Sequence, residues 1–289
     1  MDYLLHVLIL VAIYGMLAIS LSISSSYTKL ISLAHAGFCA VGAYTSAILC
    51  VRFGMNFWWT LPVAMIASGL LAFPVAFLAR KTIDDYFIVC TMGIAVIITS
   101  LLTNLTTLTN GPLGIIAIPS PILFGSPISS KVEWLCVVVI AYLLFAFIAN
   151  NLRRSSFGRL LLAIGEDQIF CESLGKNVNL AKFQSFLLGS GLAALPGCFY
   201  SSYIAYIDPS SFDLNDSIML LSIVIIAGMD KASSLLPAVS LLVVLPEGLR
   251  FIGIPVGIAG DLRQVLFALV LLLVLWIRSN RKTIISSSC

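Results

Sequence analysis

Residues 30–50 read LISLAHAGFCAVGAYTSAILC, with no ionisable acid or base other than His35. A helix needs about 20 predominantly apolar residues to cross a hydrocarbon layer of about 30 Å, and this stretch has that length. Its small residues Ala36, Ala40, Gly42, Ala43, Ser46 and Ala47 let a neighbouring backbone approach closely. No period-two alternation runs through it, so it reads as a spanning helix rather than a barrel strand.

On either side the chain repeats the pattern. Further apolar runs lie at about 3–23, 57–79, 86–105, 132–150, 183–204, 215–229, 233–250 and 263–278, making nine candidate spans with the first. The seventh and eighth are short or broken by Pro237 and Pro246. Hydrophobic residues make up 60% of the 289 and charged ones only 10%, against about 25% charged in a soluble domain. Mean hydropathy is +1.08. The expected fold is all-α, a polytopic transmembrane helix bundle forming a single domain over 1–289. Met1-Asp2-Tyr3 has no basic region of the kind a cleavable signal carries.

Lys and Arg set the orientation. With the N-terminus outside and the C-terminus inside, four of the 16 basic residues (Arg52, Lys131, Arg250 and Arg263) fall outside and the other twelve inside. Residues 151–182 are then the largest cytoplasmic loop, and about 106–131 a long outer one. GFCAVGAY (37–44) and GLAALPGCFY (191–200) would both open spans running outward. They are readable as a weak internal repeat, spans two to five matching six to nine, or as shared small-residue packing.

What the spans lack is informative. No set of mid-membrane carboxylates is present to couple ions, and no P-loop, H-E-x-x-H or G-x-S-x-G occurs. An enzyme is therefore not expected, and a solute pathway would be passive or powered by a partner. Of the seven cysteines most fall in apolar stretches and none forms a CxxC, so neither a disulfide framework nor a metal site is expected. No nucleic-acid partner is implied; the lipid bilayer is. His35, Gly37 and Tyr44 on the second span are candidate pathway residues, with His35 equally readable as a hydrogen-bonded structural histidine. Asn110, Gly111 and Gly114, in TNGPLGI (109–115), form tight turns that serve either as a surface loop or as the lip of an entrance.

The inner loop contains FGRLLLAIGEDQIFCESLGKNVNLAKF (157–183). Glu166 and Asp167 suit the positive end of a helix dipole, and Gly175 suits the left-handed position after its last turn. The spacing predicts a short helix over Glu166–Leu174, with Ile169/Ser173 and Phe170/Leu174 on a narrow apolar edge. So short a helix is marginal in water unless it docks on something: the membrane surface, its own spans or a partner.

This loop, with LISLAHAGFCAVGAYTSAIL (30–49), TNGPLGI and YIDPSSFDL (206–214) in the same order, resembles the LivM-like permease subunits of branched-chain amino-acid ABC importers. The resemblance covers about residues 27–230. It departs after the seventh span, where AGMDKASS (227–234) keeps only Gly228 of the family's glycine-rich turn. The resemblance implies a subunit of a bacterial-type inner membrane, paired with a second related permease, two cytoplasmic ATPases that bind the ATP, and an extracytoplasmic solute-binding protein. It implies no cofactor in this chain. It also implies a coupling helix entering a groove of the ATPase through Glu166, Asp167, Ile169, Phe170, Glu172, Ser173, Leu174 and Gly175, with Glu172 and Gly175 matching the family motif best. The implied solutes are branched-chain or related amino acids. The same architecture serving a nucleoside, sugar or amide, and a stand-alone channel, are the alternatives.

Overall fold

The computed structural model describes residues 2–79, 84–123, 125–228 and 232–250, with Val265, Ala268, Leu269 and Leu272. Helices α1 (Asp2–Thr28), α2 (His35–Phe53), α3 (Phe57–Ala79) and α4 (Asp84–Asn104) come first. A capping segment follows: α5 (Thr106–Thr109), a 3-10 turn (Gly111–Leu113) and strands β1 (Ile115–Ile116), β2 (Ile122–Leu123) and β3 (Ser126–Pro127). Then come α6 (Lys131–Arg154), α7 (Ser156–Glu166), α8 (Gln168–Ser173), α9 (Val178–Ile204), β4 (Tyr206–Ile207), a second 3-10 turn (Pro209–Phe212), α10 (Leu214–Ala227) and α11 (Ala232–Arg250). Eight of the nine expected spans thus have a helix; of the ninth, 263–278, only the four residues Val265, Ala268, Leu269 and Leu272 are described.

The long helices alternate in direction, as consecutive spans must. His6 Nδ1 meets the Tyr203 hydroxyl at 2.6 Å and the Ser185 hydroxyl donates to the Ile23 carbonyl at 2.9 Å, so α1 runs antiparallel to α9. Phe57 packs on Phe199 and Phe73 on Phe183, making α3 antiparallel to α9 as well. Phe38 packs on Phe186 at 5.9 Å while Cys198 Sγ lies 3.4 Å from the Gly42 carbonyl, so α2 and α9 run the same way. In α6, Lys131 Nζ donates to the Asp2 carbonyl and Ala149 accepts from the Tyr27 hydroxyl, setting it parallel to α1.

Helix α9 is the centre of the bundle and packs on α1, α2, α3 and α7. A β-carbon at Gly42 would overlap the Ala194 carbonyl oxygen, and one at Gly197 the Cys39 carbonyl oxygen. The two stretches that look alike in the sequence are therefore each other's packing partners. Their small residues are explained by this crossing whether or not they descend from one repeat.

Six segments among the described residues are long and apolar enough to cross a membrane: Asp2–Ser25, His35–Phe53, Phe57–Leu78, Tyr86–Asn104, Lys131–Arg154 and Pro209–Ala227. Helix α9 is longer still, but its buried face includes Lys182, Ser185, Gly189, Ser190, Gly191, Ser201 and Ser202 alongside apolar residues such as Phe186 and Phe199. Enclosed by protein, it does not need the apolarity that lipid demands. Pro62 and Pro74 in α3 and Pro196 in α9 sit inside their helices, as membrane-spanning helices tolerate.

The second span starts later than expected. Residues 29–34 are not helical, Lys29 has φ +56, and Leu30, Ser32 and Ala34 are fully buried. Buried amides here need partners, and hydroxyls supply them. Leu33 N–H donates to Thr91 Oγ1 (3.1 Å), Ala34 N–H to Ser32 Oγ (3.3 Å) and Ala36 N–H to Ser217 Oγ (3.3 Å). Composition cannot reveal such a break, because two of the three acceptors come from α4 and α10.

Gly42→Val and Gly197→Val are expected to separate α2 from α9, lowering stability by at least the ~1–3 kcal/mol of an overpacked core. Gly69→Ala and Gly93→Ala, where a β-carbon meets nothing within 4 Å, are expected to leave it unchanged or slightly raised. Thermal unfolding of the four detergent-purified variants, followed by size-exclusion fluorescence, checks the contrast.

Candidate functional site

Residues 151–182 form two helices rather than one. Helix α6 stops at Ser155, whose extended backbone (φ −67, ψ 164) turns the chain and whose hydroxyl oxygen accepts from Gly158 N–H at 3.0 Å. Gly158 is required here: a β-carbon would overlap the Leu152 carbonyl oxygen. Helix α7 then buries Leu161 and Ile164 among Ile23 and Tyr27 of α1 and Val178 and Ala181 of α9. The bare Cα of Gly165 lies against the Tyr27 carbonyl.

The expected helix over Glu166–Leu174 is corrected in its bounds. Glu166 is the last residue of α7; Asp167 adopts φ −148 and caps α8, its Oδ1 accepting from Phe170 N–H at 2.9 Å. The Asp side chain offers the backbone an alternative to continued helix, which is why the break falls there. Helix α8 covers only Gln168–Ser173, with Leu174 as its C-cap. Gly175 has φ +75, as its place after the helix suggests, and its N–H donates to the Glu172 carbonyl at 2.9 Å.

Helix α8 is held from one side only. Cys171 is buried in the cluster under α7, and the buried Lys182 of α9 donates from Nζ to Gln168 Oε1 at 2.8 Å. Gln168 Nε2 donates onward to Glu172 Oε1 at 3.0 Å. The opposite side carries Ile169, Phe170 and Leu174, which are 80%, 60% and 61% exposed. Glu166, Asp167, Glu172 and Ser173 are exposed around them. The apolar edge read from the spacing thus faces outward. Cys171, Gln168 and Lys182, which fix that orientation, escaped the sequence reading; the Ser155 cap and the spacing of Leu161 and Ile164 could have signalled α7.

The candidate pathway residues lie elsewhere. His35 is fully buried and meets Phe38 edge-on, with ring centroids 6.1 Å apart. The backbone of Ser20 and Gly189 lies against it, yet neither ring nitrogen makes a hydrogen bond of full geometry. Gly37 faces Ile98, and the buried Tyr44 hydroxyl has no hydrogen-bond partner among the described residues. All three are packed shut; a cleft of about 20 Å³ nearby is lined by Ala36, Cys39, Tyr200 and Asp216 instead.

Asn110, Gly111 and Gly114 sit at the other end of the bundle from α8. Asn110 and Gly111 both have positive φ, and Gly111 N–H donates to Thr109 Oγ1 at 3.1 Å. Gly114 (φ +69) lies so close to the Ile207 carbonyl that a β-carbon would overlap it. Next to it Ile115 pairs with Ile207 and Ile116 with Tyr206, antiparallel, and Ile118 N–H donates to the Ala205 carbonyl. TNGPLGI is therefore clamped onto YIDPSSF, a pairing across some ninety residues that sequence reading left unjoined.

Residues 3–275 match the family model described as branched-chain amino acid transport system / permease component. The chain belongs to this family. It is also 31% identical over 261 residues to the high-affinity branched-chain amino acid transport system permease protein LivM of Salmonella typhimurium, covering 82% of this chain and 61% of that protein. The corresponding LivM of Escherichia coli K12 is 31% identical over 264 residues, covering 83% and 62%. The permease thus spans about three-fifths of the length of these curated relatives. No solved structure matches it. As a member of a family of permease components it is a multi-pass membrane protein and not an enzyme.

Two glycines with positive φ separate strain from contact. Gly125 (φ +88) has nothing within 4 Å of a β-carbon, whereas Gly114 has the Ile207 carbonyl. Gly125→Ala is expected to cost about 1 kcal/mol of left-handed strain, and Gly114→Ala to cost more and to expose 115–118 and 205–207 together. Hydrogen exchange of both segments in the purified permease measures it.

Proposed function

We propose that this chain is the transmembrane permease subunit of an ABC importer, forming with a second related permease the pathway for branched-chain or related amino acids in a bacterial-type inner membrane. Two separate cytoplasmic ATPases supply the power and an extracytoplasmic binding protein the solute. The observation that carries this reading is the outward-facing apolar edge of α8, Ile169, Phe170 and Leu174, on a helix whose other side is pinned to the bundle. An exposed edge on a rigid mount suits insertion into a groove of a partner. The family membership and the name borne by the relatives support the transport role. Among the described residues the one buried charged side chain is Lys182, at the α8 end, which accords with energy supplied from outside the spans.

The orientation follows from charge. The end that holds α7 and α8 carries Lys29, Arg153, Arg154, Arg159, Lys176 and Lys182, and the capped end carries Arg52 and Lys131. By the positive-inside tendency the α8 end is cytoplasmic, the N-terminus outside and the nine-span chain ends inside. A reporter fused to the C-terminus is expected to be active only in the cytoplasm; activity outside would sink this topology.

Removing the edge tests the coupling. Ile169→Ala with Phe170→Ala is expected to weaken ATPase association by roughly 10- to 30-fold, the scale of a hot-spot pair. Insertion and pairing with the second permease should be unchanged. Gly175→Val strains the left-handed turn by roughly 1–2 kcal/mol and should abolish stimulation of ATP hydrolysis by loaded binding protein. Both are read in the assembled complex, as ATPase stimulation and uptake. Normal values in both variants would mean that α8 merely rests on the membrane, and rapid solute flux through the permease reconstituted alone would establish a channel instead.

A further inference from the structure

The end of the bundle that holds α8 has a second feature, apart from the exposed edge of that helix. Between α1, α6, α7 and α11 lies a cleft of about 860 Å³, and Arg153, Arg154 and Arg159 converge on it with Asn150 and Tyr27. Arg153 is within electrostatic reach of the Tyr27 hydroxyl, and Arg159 Nη2 lies 3.4 Å from Ser156 Oγ. Among the described residues no carboxylate lines the cleft or pairs with these arginines. Three like charges on one cleft, with no counter-charge among the described residues, favour an anion that joins them.

Beside these groups and Tyr142, the described lining is apolar. Leu143 and Ala146 of α6 and Leu236 of α11 form its wall. Above it, α6 presents Ile140, Leu143, Leu144 and Phe147 outward, each more than half exposed. Helix α6 has 24 residues and so is about 36 Å long, a little more than the hydrocarbon thickness of about 30 Å. With its Lys131 end at one interface, the arginines at the other stand at headgroup level. The site is cationic at its floor and greasy on the side that faces lipid, the shape of an amphiphile rather than of a small ion.

We propose that this cleft binds the headgroup of an anionic phospholipid, its phosphate held by Arg153, Arg154 and Arg159 and its acyl chains lying along the exposed face of α6. Guanidinium forks match phosphate oxygens in pairs, and basic pockets between spanning helices at the cytoplasmic side recognise such headgroups. The proposal needs only that the bundle spans a membrane, so it stands apart from the choice of transported solute and from the docking of α8.

Native mass spectrometry of the full chain, released from neutral detergent with added phosphatidylglycerol, phosphatidylcholine or inorganic phosphate, tests it. Wild type should retain phosphatidylglycerol and not phosphatidylcholine. At about fivefold per basic residue, R153A/R154A/R159A should bind phosphatidylglycerol roughly a hundredfold more weakly, and R154A or R159A alone about fivefold more weakly if the triple variant does not fold. R153K/R154K/R159K, which keeps the charge and loses the forks, should bind more tightly than the alanine variant and more weakly than wild type, and K131A, at the other end, should keep all of the binding. Equal retention of phosphatidylcholine, undiminished binding by the alanine variants, or competition by inorganic phosphate as effective as that by the lipid would each overturn the proposal, the last by establishing a small-anion site.

Discussion

In a bilayer, an apolar side chain gains little by leaving lipid for another apolar side chain, so helices must hold one another by close contact. At the crossing of α2 and α9 the contact is between backbones, because Gly42 and Gly197 have nothing to place between them. The remaining helices are arranged around that junction. Ser68 Oγ of α3 donates to the Ser190 carbonyl of α9 at 2.8 Å, and Ser185 Oγ of α9 to the Ile23 carbonyl of α1. These are short polar links that only closely approached helices can make.

The same closeness explains why irregular backbone is tolerated inside. The break at 29–34 would be prohibitive against lipid, where an unpaired amide has no partner. Here it lies among Ser32, Thr91 and Ser217, whose hydroxyls take up three amides. Elsewhere hydroxyls face their own helix: Ser20, Ser22 and Thr28 of α1 donate to the carbonyls of Leu17, Ile19 and Ser24. Helix α1 is therefore less polar to its neighbours than its serine content suggests.

Much of this architecture was legible in the chain. Apolar runs located the helices, since hydropathy over some twenty residues reports a helix directly, and Gly175 marked the end of α8 because few other residues adopt its φ. What stayed hidden depends on residues distant in sequence. The pairing of 115–116 with 206–207 has no local signature beyond Gly114 itself, and the late start of α2 rests, besides Ser32, on acceptors from two other helices. The division of the loop into α7 and α8 turned on Asp167, which reads equally as a residue of a first helical turn or as the cap before it. His35 and Tyr44 stood out by type, yet type alone does not distinguish a lining residue from one packed shut.

Helix α8 meets the bundle through two attachments of different character. Cys171 is wedged against the buried cluster, a contact that resists compression steeply because packed atoms cannot interpenetrate. The hydrogen bond from Lys182 to Gln168, between two flexible side chains, resists separation far more softly. A load pressing α8 inward therefore reaches α7 and α9 almost undiminished, whereas one drawing it outward is first absorbed by side-chain rotation. The mount acts as a one-way strut, stiff to thrust and slack to tension.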